Sequence, residues 1–111
     1  LGMMIEVVED RTQLDAIIEQ IGRPVEVVMF HTHWGTDSGI FDPSLLQYID
    51  DRGGVPFVTW ESWAPIYAGG VALADQPNFS LVNLVAGGFD TYIDSWANGL
   101  AEWAKPVLIR F

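Results

Sequence analysis

Cysteine is absent from this chain of 111 residues, which excludes disulfide bonds, thiol nucleophiles and cysteine-ligated metal sites. Basic residues are also few: 5 lysines and arginines stand against 15 acidic residues, which gives a formal net charge of −10. No cationic patch is therefore available to neutralise the phosphates of nucleic acid or of an anionic membrane. We expect neither nucleic acid nor a membrane as a partner.

Long hydrophobic runs and phosphate-binding glycine motifs are missing as well. No apolar stretch reaches the roughly 18 residues that a membrane-spanning helix needs, although 50% of the residues are apolar, which argues against disorder. The glycines show neither the GxGxxG nor the GK[ST] pattern, and no GxSxG elbow is present, so we expect no nucleotide cofactor and no serine hydrolase site. The length predicts a single domain, residues 1–111.

Apolar segments alternate with helical stripes along the chain. The predicted strands are Met3–Val8, Val25–Thr32, Val55–Trp60 and Pro106–Phe111. The predicted helices are residues 10–22, 42–53 and 90–104, with a short helix at Leu81–Ala86 inside the long segment Glu61–Gly88. The order β-α-β-α-β-α-β predicts a parallel α/β fold. Four strands fit half of an eight-stranded TIM (β/α)8 barrel or a small open sheet.

Helix signals support these boundaries. Asp42 followed by Pro43 is typical of a helix start, with aspartate as the N-cap and proline at the first helical position. The buried stripes are predicted from spacing of three and four residues: Leu14, Ile17, Ile18 and Ile21; Leu45, Leu46 and Ile49; and Ile93, Trp96, Ala97, Leu100 and Ala104.

The last six residues, Pro106–Phe111, are predicted to form a buried strand, and the sequence ends there. In barrels of alternating strands and helices the chemistry lies just beyond the carboxyl ends of the strands. We therefore expect that this sequence is the front half of a larger enzyme, or a half that pairs with another.

Polar and aromatic residues collect at the predicted strand ends. The second strand runs into His31-Thr32-His33-Trp34, the third into Trp60-Glu61-Ser62-Trp63, and the fourth contains Arg110. These ends share one edge of a parallel sheet, where ligands bind in such folds.

The Trp-Glu-x-Trp pattern favours a carbohydrate ligand, because indoles pack on the apolar faces of sugar rings and a carboxylate accepts bonds from hydroxyls. The alternatives are that Trp60 belongs to the core, that Trp63 packs under the long loop and that Glu61 is a solvated strand terminus. A pairing of Arg110 with Glu61 is also consistent with the pattern.

His31 and His33 are two residues apart, so their side chains point to one face of the strand. They are the only histidines and no third ligand is evident, so we expect no metal. We expect that one is a hydrogen-bonded structural histidine and that the other, taken as His33, contacts substrate.

Five segments resemble glycoside hydrolase family 26, the β-mannanase-like retaining enzymes, in order and spacing. They are Val28–Gly35, Phe41–Leu46, Val55–Trp63, Gly88–Ile93 and Lys105–Phe111. The resemblance implies a (β/α)8 barrel that hydrolyses a β-linked polysaccharide such as β-1,4-mannan, with β-1,3-xylan and mixed-linkage β-glucan still open, and an extracellular or periplasmic location.

The resemblance also implies which residues this chain contributes. Both catalytic glutamates of such enzymes would lie beyond Phe111, so we expect no catalytic residue here and an inactive chain. Trp34, Trp60, Glu61 and Trp63 are then candidates for the substrate-binding wall.

Three other interpretations remain. The first is a half-barrel that closes by pairing with a second copy, which would cover the exposed strand edges. The second is a non-catalytic carbohydrate-binding domain that uses Trp60 and Trp63 as platforms. The third is a small flavodoxin-like domain, against which the missing phosphate loop counts.

Overall fold

The protein is described by a computed structural model that covers residues 2–5, 11–35, 39–68, 71–72 and 74–111. The strands are β1 (Gly2–Ile5), β2 (Val27–His33), β3 (Val55–Glu61), β4 (Tyr67–Ala68), β5 (Val71–Ala72) and β6 (Leu108–Arg110). The helices are α1 (Thr12–Ile21), α2 (Pro43–Asp50), α3 (Leu81–Val85) and α4 (Asp90–Trp103), with a 3-10 turn at Pro77–Phe79. Residues 6–8 of the predicted first strand lie outside the described residues.

Four strands form one sheet in the order β1-β2-β3-β6. Each neighbouring pair is parallel, so the predicted α/β fold is confirmed. The register pairs Phe30 with Val58 and His33 with Glu61, and it pairs Thr59 with Arg110. The four strands therefore lie across the sheet in the same order as they occur along the chain. The carboxyl ends of β2 and β3 lie side by side.

One core joins the sheet to three helices. Val28 and Phe30 of β2 and Val58 of β3 pack with Leu14 of α1 and Trp96 of α4. The α2 contribution is the predicted stripe, Leu45, Leu46 and Ile49, all of it buried. Because strand side chains alternate, this packing directs His31 and His33 to the opposite face of the sheet.

The ends of α1 and α2 follow local sequence signals. The Asp42 side chain accepts hydrogen bonds from the backbone N–H groups of Ser44 and Leu45, and Pro43 occupies the first turn, which confirms the predicted helix start. At the end of α1, Gly22 adopts a left-handed conformation with φ of 69°, which glycine reaches without a steric penalty. Both signals act over a few residues, so they hold whatever the tertiary fold.

Three predictions about burial are wrong. In α1, Ile21 is 38% exposed, because it is the last residue of the helix and lies beyond the part of α1 that packs on the core. The last strand is not buried: Leu108 is 47% and Ile109 44% exposed, because among the described residues β6 forms the edge of the sheet, with β3 as its one neighbour. In α4, Ala97 and Ala104 are exposed. Ala104 is the left-handed C-cap, with φ of 54°, and so lies outside the helix. The inner face of α4 is formed by Tyr92, Trp96, Leu100 and Trp103.

The segment that joins β3 to α4 contains more structure than its sequence indicates. The predicted short helix is confirmed as α3, with a cap provided by the Ser80 side chain. The hairpin of β4 and β5 and the 3-10 turn were not predicted, because strands of two residues carry no periodicity. The described parts of this segment therefore contain two short strands, a 3-10 turn and a helix.

Candidate functional site

Glu61 lies at the centre of a polar cluster at the carboxyl edge of the sheet. As the last residue of β3 it pairs in register with His33, the last residue of β2. Its Oε2 is 2.8 Å from His33 Nε2, and its Oε1 is 3.2 Å from His31 Nδ1. The two histidines share a face because they are two residues apart, so one carboxylate contacts both rings.

Trp63 completes this cluster two residues after the end of β3. Its indole N–H donates to Glu61 Oε2 at 2.9 Å, and its ring meets the His33 ring edge-on with centroids 5.1 Å apart. The backbone carbonyl of Glu61 accepts hydrogen bonds from the backbone N–H groups of Trp63 and Trp34. The turn after β3 is thus tied to the end of β2.

The electrostatics of the cluster keep Glu61 ionised. Burial would raise its pKa, but the hydrogen bonds from Trp63 and His31 and the charges of His31 and His33 outweigh burial and lower the pKa of Glu61. The side chain keeps 27% of its surface exposed. At neutral pH Glu61 is therefore an accessible carboxylate that can accept a further hydrogen bond, and it is poorly suited to act as a general acid, which needs a raised pKa.

A second, aromatic cluster lies on the helix-covered side of the sheet. Trp34 is only 7% exposed, and its ring lies 4.8 Å from that of Trp60 and 5.8 Å from that of Phe111. The Trp60 indole N–H donates to the Tyr92 hydroxyl at 3.1 Å. Tyr92 in turn donates to the backbone carbonyl of Gly39. These hydrogen bonds join Gly39 and the Trp60 side chain of β3 to α4.

The structure thus divides the predicted substrate-binding residues into two groups. It brings Glu61, His33 and Trp63 together at the carboxyl edge, and His31 joins them. It places Trp34 and Trp60 in the aromatic cluster, where Trp34 has little surface to offer a ligand. Substrate contact by each of the five remains a prediction.

The predicted pairing of Arg110 with Glu61 is wrong. The Arg110 Nη2 donates to Thr59 Oγ1 at 3.0 Å, because the register places Arg110 opposite Thr59 and not opposite Glu61. The guanidinium also lies 5.9 Å from the centre of the Phe57 ring. Arg110 therefore contributes to the neighbouring part of the sheet face.

Tyr92 and Gly39 were not singled out in the sequence. Trp96 donates to the same Gly39 carbonyl at 2.8 Å, and a Cβ at position 39 would lie 2.2 Å from the His33 carbonyl oxygen. The spacing of Tyr92 and Trp96, four residues apart on one helix, was the available signal. Only the tertiary structure shows what the two side chains bind.

Cavities in the described part of the chain lie away from Glu61, and none of those found is lined by it. A groove of about 550 Å³ runs between α2 and α4 and is lined by Phe41 and Trp103. A cavity of about 20 Å³ lies under the start of α2. Among the described residues, no group of three histidine or acidic side chains is arranged to hold a metal ion.

Comparison of this chain with protein families, with curated proteins and with solved structures finds no match. No helix in the described part of the chain is both long enough and apolar enough to cross a membrane.

Proposed function

We propose that this chain is the amino-terminal half of a β-mannanase-like glycoside hydrolase barrel, and that Glu61, His33 and Trp63 form part of the wall that binds a β-linked polysaccharide such as β-1,4-mannan. The reaction is hydrolysis of the glycosidic bond. In the resembling family both catalytic glutamates come from strands that would follow Phe111, so this half contributes binding and is inactive alone.

The observation that carries the proposal is the hydrogen bonding of Glu61. Its carboxylate accepts from Trp63 and His33 on one oxygen and from His31 on the other. A carboxylate has about four acceptor positions, so capacity remains for a sugar hydroxyl. The three donors also fix the orientation of the carboxylate, which reduces the entropy lost on binding.

The topology supports a barrel half over a doubly wound sheet. The strands follow one another in sequence order across the sheet, and α1, α2 and α4 all contribute to one core on one face. In a (β/α)8 barrel all helices lie outside, and strand ends at the carboxyl edge carry the site. Glu61 and His33 are at that edge.

Titration calorimetry of the chain with β-1,4-mannohexaose tests the proposal. We expect binding that Glu61→Gln weakens, because an amide oxygen is a poorer acceptor than a carboxylate and the amide N–H groups would face the donors of Trp63 and His33. Glu19→Gln is the matched control, since Glu19 is exposed on α1 and should bind as the unchanged chain does. Equal affinity of the two variants, with both folded by circular dichroism, would rule out the role of Glu61.

Two alternatives predict different results. A non-catalytic binding domain would bind mannan without a second half. Release of reducing sugar by the purified chain would overturn the claim that the chain is catalytically incomplete.

A half-barrel closed by a second copy is favoured by the exposed edge residues Leu108 and Ile109. It predicts a particle of about 25 kDa, twice the 12.3 kDa of one chain, because two halves together supply the eight strands of a barrel. Light scattering distinguishes a dimer from a monomer.

A further inference from the structure

His31 keeps one ring nitrogen available at the carboxyl edge of the sheet. Its Nδ1 lies 3.2 Å from Glu61 Oε1, and in the described part of the chain this carboxylate is the hydrogen-bond partner of the ring. The other nitrogen, Nε2, is not among the buried side-chain atoms that lack a partner, and the His31 side chain is 29% exposed. Nε2 is therefore open to solvent on the sheet face opposite the helices.

Glu61 fixes the chemical form of this histidine. Burial alone would raise the pKa of Glu61, but the hydrogen bonds from Trp63 and His31 lower it, so the side chain is a carboxylate at neutral pH. A carboxylate has no proton to donate, so the proton of the neutral His31 ring must be on Nδ1. Nε2 then carries a lone pair. A carboxylate behind the ring and an open lone pair in front of it is the arrangement of a general base.

Arg110 supplies a positive charge beside this base. The register pairs His31 with Thr59 and Thr59 with Arg110, so the three residues form one row across the sheet. The Arg110 Nη2 donates to Thr59 Oγ1 at 3.0 Å, which brings the guanidinium against β3, and neighbouring strands such as β3 and β2 are about 4.8 Å apart. Among the described residues no carboxylate forms an ion pair with Arg110, so its other N–H groups can bind an anionic oxygen.

A base next to a cation favours one class of hydrolysis and opposes another. Cleavage of a glycosidic bond passes through an oxocarbenium-like state that carries positive charge, which Arg110 would repel. Attack of water on an acyl ester instead develops negative charge on the carbonyl oxygen, and a nearby cation stabilises that charge. The row therefore fits an ester better than a glycoside.

We propose that His31, Glu61 and Arg110 form a site that hydrolyses small acyl esters. His31 Nε2 takes a proton from water while the water oxygen bonds to the acyl carbon, and the carbonyl electron pair moves to the oxygen that faces Arg110. The bond from the acyl carbon to the alcohol oxygen then breaks, and His31 returns its proton to that oxygen, which releases the acid and the alcohol. Glu61 acts through His31 as a positioning residue. This activity goes beyond the proposed function and needs no bound glycan.

Hydrolysis of p-nitrophenyl acetate, followed by the absorbance of p-nitrophenolate, tests the proposal. We expect the unchanged chain to exceed an equal concentration of 4-methylimidazole by roughly 10²–10⁴-fold, the usual contribution of general-base catalysis, and His31→Gln to lose that advantage. Glu61→Gln should lower kcat and leave KM unchanged, because Glu61 does not touch the ester. A chain no faster than 4-methylimidazole, or a folded His31→Gln variant as fast as the unchanged chain, would overturn the site.

The role of Arg110 has a matched control in a second arginine. Arg110→Gln should lower kcat by roughly a hundredfold, as the loss of one donor to an oxyanion does. Arg23 is exposed before β2, so Arg23→Gln should hydrolyse the ester as the unchanged chain does. Equal rates for the two variants would remove Arg110 from the site.

Chemical modification of the unchanged chain keeps the test decisive if His31→Gln does not fold. Diethyl pyrocarbonate acylates accessible imidazole nitrogens, and mass spectrometry of the digested chain measures the modified fraction of His31. Activity that falls in proportion to this fraction supports the proposal, and activity that persists with His31 modified overturns it. Because the assay contains no glycan, failure of mannan binding leaves this inference standing, and the two proposals can fail separately.

Discussion

The hydroxyl of Tyr92 is the group whose removal best tests the packing described above. It accepts a hydrogen bond from Trp60 Nε1 at 3.1 Å and donates to the Gly39 carbonyl at 2.5 Å. The Gly39 carbonyl also accepts from Trp96. Tyr92→Phe therefore deletes two bonds from one site while it keeps the ring that packs against Trp34 and Trp60.

The expected magnitude follows from what each partner retains. The Gly39 carbonyl keeps its bond from Trp96 at 2.8 Å, so its loss is small. The Trp60 N–H is partly buried and loses the acceptor it has in the structure, and a buried donor left without a partner costs roughly 1–3 kcal/mol. We expect Tyr92→Phe to lower the free energy of unfolding by about 1–3 kcal/mol.

A double-mutant cycle isolates the shared acceptor. Trp96→Phe alone removes the other donor to Gly39 and also leaves a void, since Trp96 is 3% exposed. Only the double variant deprives the Gly39 carbonyl of both side-chain donors. We expect the double variant to lose about 0.5–3 kcal/mol more than the sum of the single changes. Urea unfolding followed by circular dichroism measures all four proteins without relying on tryptophan emission.

Two outcomes would refute this reasoning. The first outcome is a free energy of unfolding for Tyr92→Phe within about 0.5 kcal/mol of that of the unchanged chain, which is the range of ordinary surface substitutions. In that case the Tyr92 hydroxyl does not hold the Trp60 N–H. If the free-energy losses of the two single changes simply add, then Tyr92 and Trp96 do not share the Gly39 carbonyl, and Gly39 is held by other contacts.

Two further predictions concern Glu61 and Asp42. Because the pKa of Glu61 lies below its ordinary 4.5, its ionised form stabilises the fold above that pH, and this stabilisation is lost as the pH falls through the lower folded-state pKa. The urea midpoint of Glu61→Gln should therefore decline less steeply below pH 4.5 than that of the Glu19→Gln control, and equal slopes would contradict the shift. Asp42→Ala removes the cap of α2 and the partner of Arg11, so it should cost about 0.5–2 kcal/mol in thermal unfolding. Asp42→Asn should lose much less stability than Asp42→Ala, because the asparagine oxygen can still accept the capping hydrogen bonds. Equal losses in the two variants would argue against the cap.

The local elements were predictable because their signals are short. The pair Asp42-Pro43 specifies a helix start through its own side chain and its fixed φ, and the spacing of Leu45, Leu46 and Ile49 specifies the buried stripe of that helix. The apolar run before His31 predicted β2 in the same way. These signals hold within a few residues and need no knowledge of the fold.

The candidate site was predictable only in part. The spacing of His31 and His33 indicated a common face, and the position of Glu61 after an apolar run indicated a strand end. Their meeting on one carboxylate depends on the register that pairs His33 with Glu61. A shift by one residue would turn Glu61 to the other face, and nothing local in either strand specifies that register.

What the sequence determined by itself is therefore the type and order of the main elements, the capped start of α2 and the collection of polar residues at the strand ends. Tertiary structure decided which of those residues meet: it joined Glu61 to both histidines and Trp63, enclosed Trp34 among aromatic rings and left Leu108 exposed on an edge strand. The physical reason is range. Capping and periodicity act between near neighbours in the chain, whereas register, burial and the sharing of one acceptor depend on segments that are far apart in sequence and meet only when the chain packs.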